Sequence, residues 1–181
     1  GRGIADTLAA EGARVIVASR DGDACDAAAA AMREAHGAEV LGTSCDMSDI
    51  DAVDRVASFA EDAFGGIDVL VNNAGIMGQR NAARGGIDYD AWGEAMVTNV
   101  MGPMRMVEAF ADNVAASSQK KLITISSRMG SIGETKADNS IVYRSSKAAV
   151  NMVMKIVAND LGSQGVIATS FHPGWVRTDM G

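Results

Sequence analysis

Ile67-Asp68-Val69-Leu70-Val71-Asn72-Asn73-Ala74-Gly75 reads as a short strand that runs straight into a polar glycine turn. The strand is apolar on both faces, as expected of one buried inside a parallel sheet. Working outward, residues 13–18 and 39–43 give two more such runs before it, and residues 121–126 and 166–171 give two after it. Helical patterns fill the intervals: 4–11 closed by Gly12, 21–36 ended by Gly37, and a helix capped by Ser48 or Asp49 that runs to Phe64 and breaks at Gly65-Gly66. Residues 79–86 form a polar loop, 90–114 a long helix, and the apolar run after Ser140 a helix to Leu161, ended by Gly162 and capped by Asn139 or Ser140. Alternation of this kind predicts an α/β fold, a doubly wound parallel sheet in one domain over residues 1–181.

In such a sheet the turn Gly1-Arg2-Gly3 should follow a strand at the centre of the order 3-2-1-4-5-6. That strand is absent, and no closing element follows Gly181. Loss of a central strand would leave two rows of backbone groups unpaired. The expectation is therefore the middle of a longer protein.

Net charge is −7 over 181 residues, which argues against nucleic acid and anionic membranes as partners. No long apolar run suggests a membrane span and no signal-peptide pattern appears, so a cytoplasmic chain is expected. Cys25 and Cys45 stand far apart, and neither they nor His36 and His172 have metal-ligand spacing.

Tyr143-Arg144-Ser145-Ser146-Lys147 puts a phenol and an ammonium one helical turn apart on the same face. A charge about 5 Å away favours the phenolate by roughly two pKa units, as an acid/base tyrosine needs. A packed ring beside a solvated amine is the other reading. The opening glycine turn suits a phosphate, with Gly3 allowing close approach and Ala5 tight packing; an ordinary helix start has the same look. Ser19-Arg20 ends the strand that usually reads the adenosine ribose, and two guanidiniums, Arg20 and Arg2, suit a 2′-phosphate, so NADP(H) is preferred to NAD(H). Asp21, close by, points the other way. Asn72-Asn73-Ala74-Gly75 lies at the sheet edge where ligands bind, although amides and glycine also make plain turns.

Asn99 costs helix propensity, and Pro103 offers no N–H to its carbonyl. A kink there could hold a relay water or simply be filled by packing. Ser126-Ser127 closes a strand, with a hydroxyl expected to face Tyr143, and His172-Pro173-Gly174-Trp175-Val176-Arg177-Thr178-Asp179-Met180 follows the last one.

In family order, GRGIA, CDMSD, NNAG, TNVMGP, ISSRMG, YRSSK and HPGWVRTD resemble the short-chain dehydrogenase/reductase family over essentially the whole chain, most like its sniffer-type, C-factor-like carbonyl reductases. The resemblance implies a Rossmann-like fold and a tetrad of Asn99, Ser127, Tyr143 and Lys147. Ser127 would hold a carbonyl oxygen, Tyr143 would protonate it, Lys147 would bind the nicotinamide ribose and lower the phenol pKa, and Asn99 would anchor a relay water. It further implies cofactor contacts at Arg2, Gly3, Ile4, Arg20, Asp46, Met47, Asn73, Ala74, Gly75, Pro173, Gly174, Val176 and Thr178, besides Tyr143 and Lys147. The expected partner is a small carbonyl or alcohol. Surplus apolar residues on the Tyr143 helix point to a homo-oligomer. The stretch from Ser127 to Tyr143 is longer than is common in the family, and Ala5 replaces a glycine. A nucleotide-binding regulatory protein without turnover is the alternative, and a nucleotide-sugar isomerase or dehydratase a third.

Overall fold

Residues 1–174 are described by the structure, a computed structural model. The alternation seen in the sequence is realised as α1 (Arg2–Ala10), β1 (Val15–Ser19), α2 (Gly22–His36), β2 (Val40–Ser44), α3 (Ile50–Phe64), β3 (Val69–Asn72), α4 (Tyr89–Met96), a π-helical turn (Val97–Met101), α5 (Gly102–Ala116), β4 (Lys121–Ile125), α6 (Ile141–Leu161) and β5 (Ile167–Phe171). Short 3-10 turns at Arg128–Gly130 and Gly162–Gln164 flank α6. The chain divides into two compact units, Gly1–Ile67 and Asp68–Gly181.

All strand pairing among the described residues is parallel, but it makes two sheets rather than one: β1-β2, and β3-β4-β5. These are the pairings left when the central strand is taken out of the order 3-2-1-4-5-6. In the first unit, α1 and α2 cover the strands through a core of Ala5, Ala9, Val15, Ala28, Ala29, Met32 and Val40. Alanines dominate because helix and strand run close. At Gly42 an added Cβ would lie 2.6 Å from the backbone of Cys25 and Asp26. In the second unit α6 packs along β5, burying Val150, Met154, Val157 and Leu161 as one stripe at helical spacing.

Most helix ends follow local chemistry. Asp21 accepts from the Ala24 N–H at 2.9 Å and Asp49 from that of Asp51 at 3.0 Å, each cap stabilising its helix by about 1 kcal/mol. Gly37 and Gly65 close α2 and α3 in the left-handed region at φ 65° and 74°. Other ends depart from expectation. The first helix starts at Arg2 rather than Ile4, although Gly12 at φ 84° does close it, its N–H donating to the Ala9 carbonyl and that of Ala13 to the Leu8 carbonyl. Gly162 has φ −60° and lets α6 run on into a 3-10 turn that ends at Gly165, φ 80°. Neither Asn139 nor Ser140 caps α6 with its side chain. The Ile141 N–H donates instead to the carbonyl of the buried Ala82 at 3.0 Å, so a residue of the 79–86 loop supplies the cap. The long helix predicted over 90–114 is interrupted by the π turn, where Gly102 N–H reaches back to the Val97 carbonyl just before Pro103.

Candidate active site

The tyrosine helix, the end of β4 and the turn after β3 converge in the second unit. Tyr143 is half-buried near the start of α6, with Ser127 near enough that its hydroxyl lowers the phenol pKa. Ser127 is positioned by its own backbone: it leaves β4 extended and its Oγ accepts from the Met129 N–H at 3.1 Å, capping the 3-10 turn. That turn lies tight on α6. A Cβ at Gly130 would sit 2.7 Å from the Lys147 carbonyl carbon, so only glycine lets the two backbones meet there. Ser126, beside it, turns the other way and donates to Asn151 Oδ1 at 2.6 Å.

One turn along α6, Lys147 is buried with its Nζ 5.7 Å from the centroid of the Tyr143 ring. The ammonium donates to the Ile125 carbonyl at 3.0 Å, and burial brings its pKa down to about 8. Here an expectation is corrected. Lysine was to lower the phenol pKa, yet burial raises the Tyr143 phenol above its ordinary value, and only the nearby Ser127 works against that rise. The cost of taking a phenolate out of water is the larger effect on this phenol.

Asn99 is 1 % exposed within the π turn. Its Oδ1 accepts from the Ile76 N–H at 2.8 Å, and its Nδ2 donates to the Ile76 carbonyl at 2.8 Å and to Ser146 Oγ at 2.9 Å. The sequence pointed to the main-chain carbonyl of Asn99; the side chain turns out to hold the turn after β3. Asn73, Ala74 and Gly75 make up that turn. A Cβ at Gly75 would meet Asn99 Oδ1 at 3.3 Å and Lys147 Nζ at 3.5 Å, so the backbone comes down beside the ammonium with no side chain between. Asn72 faces inward, donating at 3.4 Å to the Pro103 carbonyl and to Thr124 Oγ1. Asn99, Ser127, Tyr143 and Lys147 are thus linked through α6 and its immediate contacts. Ser146 and Gly130 were not singled out from sequence, though the serine three residues after Tyr143 was in view.

The remaining sites lie in the first unit. Arg2, Gly3 and Ile4 form the first turn of α1, which has no acidic residue there and no side-chain cap, and the space over Gly3 is open for 4 Å. Arg20 is exposed at the end of β1 and lines an open hollow with Asp21, Gly22 and Asp23. One oxygen of Asp21 is taken up in capping α2. Asp46 accepts from Ser48 N–H at 2.9 Å and Ser48 Oγ at 2.7 Å; these bonds, and more weakly Arg20, hold its carboxyl below the usual range. Met47 beside it is half-buried. Pro173 and Gly174 follow β5 and are exposed, whereas Val176 and Thr178 lie outside the described residues. No helix among the described residues is long and apolar enough to cross a membrane.

The family described as short chain dehydrogenase matches residues 1–181. The C-signal of Myxococcus xanthus is 37 % identical over 117 residues, 65 % of this chain and 70 % of that protein. The 3-oxoacyl-[acyl-carrier-protein] reductase of Vibrio harveyi is 31 % identical over 181 residues, 99 % of this chain and 70 % of that one. Among solved structures, a metagenomic short-chain oxidoreductase in complex with NADP aligns with a TM-score of 0.84 at 31 % identity, covering 97 % of this chain and 77 % of its own. The chain spans between 53 % and 70 % of the length of the first curated relatives it matches. Match over the full chain, parallel α/β pairing and similarity to an NADP-bound oxidoreductase agree: the chain belongs to the short-chain dehydrogenase/reductase family, with a C-factor-like relative among its matches.

Proposed function

We propose that this chain carries the catalytic machinery of an NADP(H)-dependent oxidoreductase that interconverts a carbonyl and an alcohol. The observation that carries the reading is the buried Lys147 with its Nζ 5.7 Å from the centroid of the Tyr143 ring, while Ser127 acts on the same phenol. Two hydroxyls on separate elements beside a buried cation suit the polarisation and protonation of one oxygen atom.

The residues fit the cofactor. A turn at Gly75 that a Cβ would fill, next to the Lys147 ammonium, leaves a backbone-lined surface for the nicotinamide ribose. Asn73, Ala74, Tyr143, Lys147 and, after β5, Pro173 and Gly174 would hold that end, with Val176 and Thr178 carried by the family resemblance. In the first unit, the uncapped start of α1 at Arg2, Gly3 and Ile4 suits phosphate, and Asp46 and Met47 suit adenine. Arg20 suits a 2′-phosphate. The exposed Arg20 guanidinium at the end of β1 favours NADP(H) over NAD(H), with one oxygen of the neighbouring Asp21 already used in capping α2. The similarity to an NADP-bound oxidoreductase supports the same choice.

When bound, the reduced nicotinamide supplies a hydride to the carbonyl carbon. Ser127 Oγ holds the substrate oxygen, and Tyr143 Oη passes its proton to that oxygen. The raised pKa of the phenol keeps this proton in place at neutral pH. Lys147 then steadies the phenolate that remains, and Asn99 keeps the turn and α6 in register. Two free buried thiols, Cys25 and Cys45, are in keeping with a reducing cytoplasm.

The test is steady-state turnover of the full-length protein over a panel of aldehydes and ketones. NADPH should be used with kcat/KM at least about tenfold above NADH, as one charge-assisted phosphate contact implies. Tyr143→Phe should lower kcat by about a thousandfold with the NADPH Kd little changed. Full turnover by Tyr143→Phe would refute the reading. Tight NADPH binding with no oxidation on any substrate would favour the regulatory alternative, which the Lys147–Ile125 hydrogen bond and the raised phenol also accommodate.

A further inference from the structure

Ser146 has no exposed surface and lies between the two α6 residues of the proposed chemistry. Its hydroxyl has one hydrogen, and that hydrogen goes to the Tyr143 carbonyl at 2.9 Å. What remains on Oγ is acceptor capacity, and Asn99 Nδ2 fills it at 2.9 Å. The second Nδ2 hydrogen goes to the Ile76 carbonyl and Asn99 Oδ1 receives the Ile76 N–H, both at 2.8 Å. Every donor in this knot therefore meets an acceptor. Turning the Asn99 amide over would bring Oδ1 against the Ile76 carbonyl and would set Nδ2 against the Ile76 N–H. Ser146 could not relieve that clash, because its only hydrogen is spent.

Many mid-helix serines bond back to a carbonyl three residues earlier and do nothing else. Ser146 differs because its oxygen also receives a buried donor from another element, and that donor belongs to the side chain clamping the turn beside Lys147. We infer that Ser146 is a positioning residue for the proposed reaction: its hydroxyl fixes the Asn99 amide and, through it, the Gly75-Ile76 backbone against α6. This rests on the assignment of Tyr143 and Lys147 above. Truncation to alanine strips a buried Asn99 hydrogen of its acceptor, so the amide is free to shift and the Ile76 backbone loses its two-point hold.

The experiment uses the full-length protein and reads amide hydrogen exchange and kinetics side by side. In Ser146→Ala the Ile76 amide should exchange about tenfold faster relative to the amides of β3, a local loosening without global unfolding. Over the same carbonyl panel, kcat should fall by about tenfold with NADPH Kd changed by less than about threefold. Ser146→Thr, which keeps the hydroxyl, should restore protection at Ile76. In an Asn99→Ala background, Ser146→Ala should change kcat by no more than about twofold, since its effect passes through the missing amide. Unchanged exchange at Ile76 in Ser146→Ala would overturn the inference, and so would the full kcat loss appearing again in the Asn99→Ala background. Should the alanine variant not fold, Ser146→Cys, which keeps the size but accepts weakly, carries the same comparison. Full turnover by Tyr143→Phe would defeat the proposed reaction while the Ile76 exchange still decides whether Ser146 governs the turn.

Discussion

Lys147 shows how one residue sets a pH window. Burial holds its pKa at about 8, so the ammonium is present below that pH and lost as pH rises through it. In the reducing direction Tyr143 must carry its proton and then leave it, and the cation favours the second event. The phenol, raised by burial, stays protonated past the point where the lysine discharges, so the lysine sets the limb. Reductive kcat/KM should therefore fall as pH rises through about 8, and Lys147→Arg, which stays charged, should move that fall upward. A pH–rate profile checks this, and a profile level across that pH would contradict it. The tyrosine and lysine were legible in the sequence because helical spacing alone brings them together. The direction of the phenol shift was not, because it depends on how deeply the folded chain buries the ring. Nor was the Ile125 carbonyl, 22 residues away in the chain, visible as the partner of Lys147.

Elements whose ends are set by local chemistry were legible from sequence: Asp21, Asp49, Gly37 and Gly65 act within a few residues of themselves. Where an end depends on distant contacts, sequence fell short. The start of α6 takes its cap from Ala82, and the Pro103 break resolves into a π turn whose buried Asn99 finds Ile76. Gly130 belongs to this second class. Its turn carries Ser127 on one side and presses on the Lys147 backbone on the other, with an added Cβ 2.7 Å from the carbonyl carbon and 2.8 Å from its oxygen. Backbone atoms of a long helix have nowhere to move. Gly130→Ala should cost about 2 kcal/mol in urea unfolding and should lower kcat by parting Ser127 from Tyr143. An alanine variant with parental stability and turnover would show that the turn does not set their distance.

For the whole molecule, sequence anticipated an α/β chain with parallel pairing. It also pointed to more apolar surface on α6 than a sheet can cover. One stripe is buried, while Met152 and Ile156 on another face stay 62 % and 59 % exposed, with Met101 at 48 % on the π turn. We propose that a second copy of the chain covers them. Met152→Glu with Ile156→Lys should shift light scattering of the full-length protein toward the monomer, and an unshifted oligomer or a monomeric parent would remove that face from consideration. The central claim, that this chain moves a hydride to a carbonyl, is tested most directly with NADPH deuterated at C4 and a reducible aldehyde or ketone, reading the mass of the product alcohol. The account predicts deuterium on the carbinol carbon with the parent protein, formed about a thousandfold more slowly with Tyr143→Phe. Bound deuterated cofactor with no label in any alcohol across the panel would contradict it.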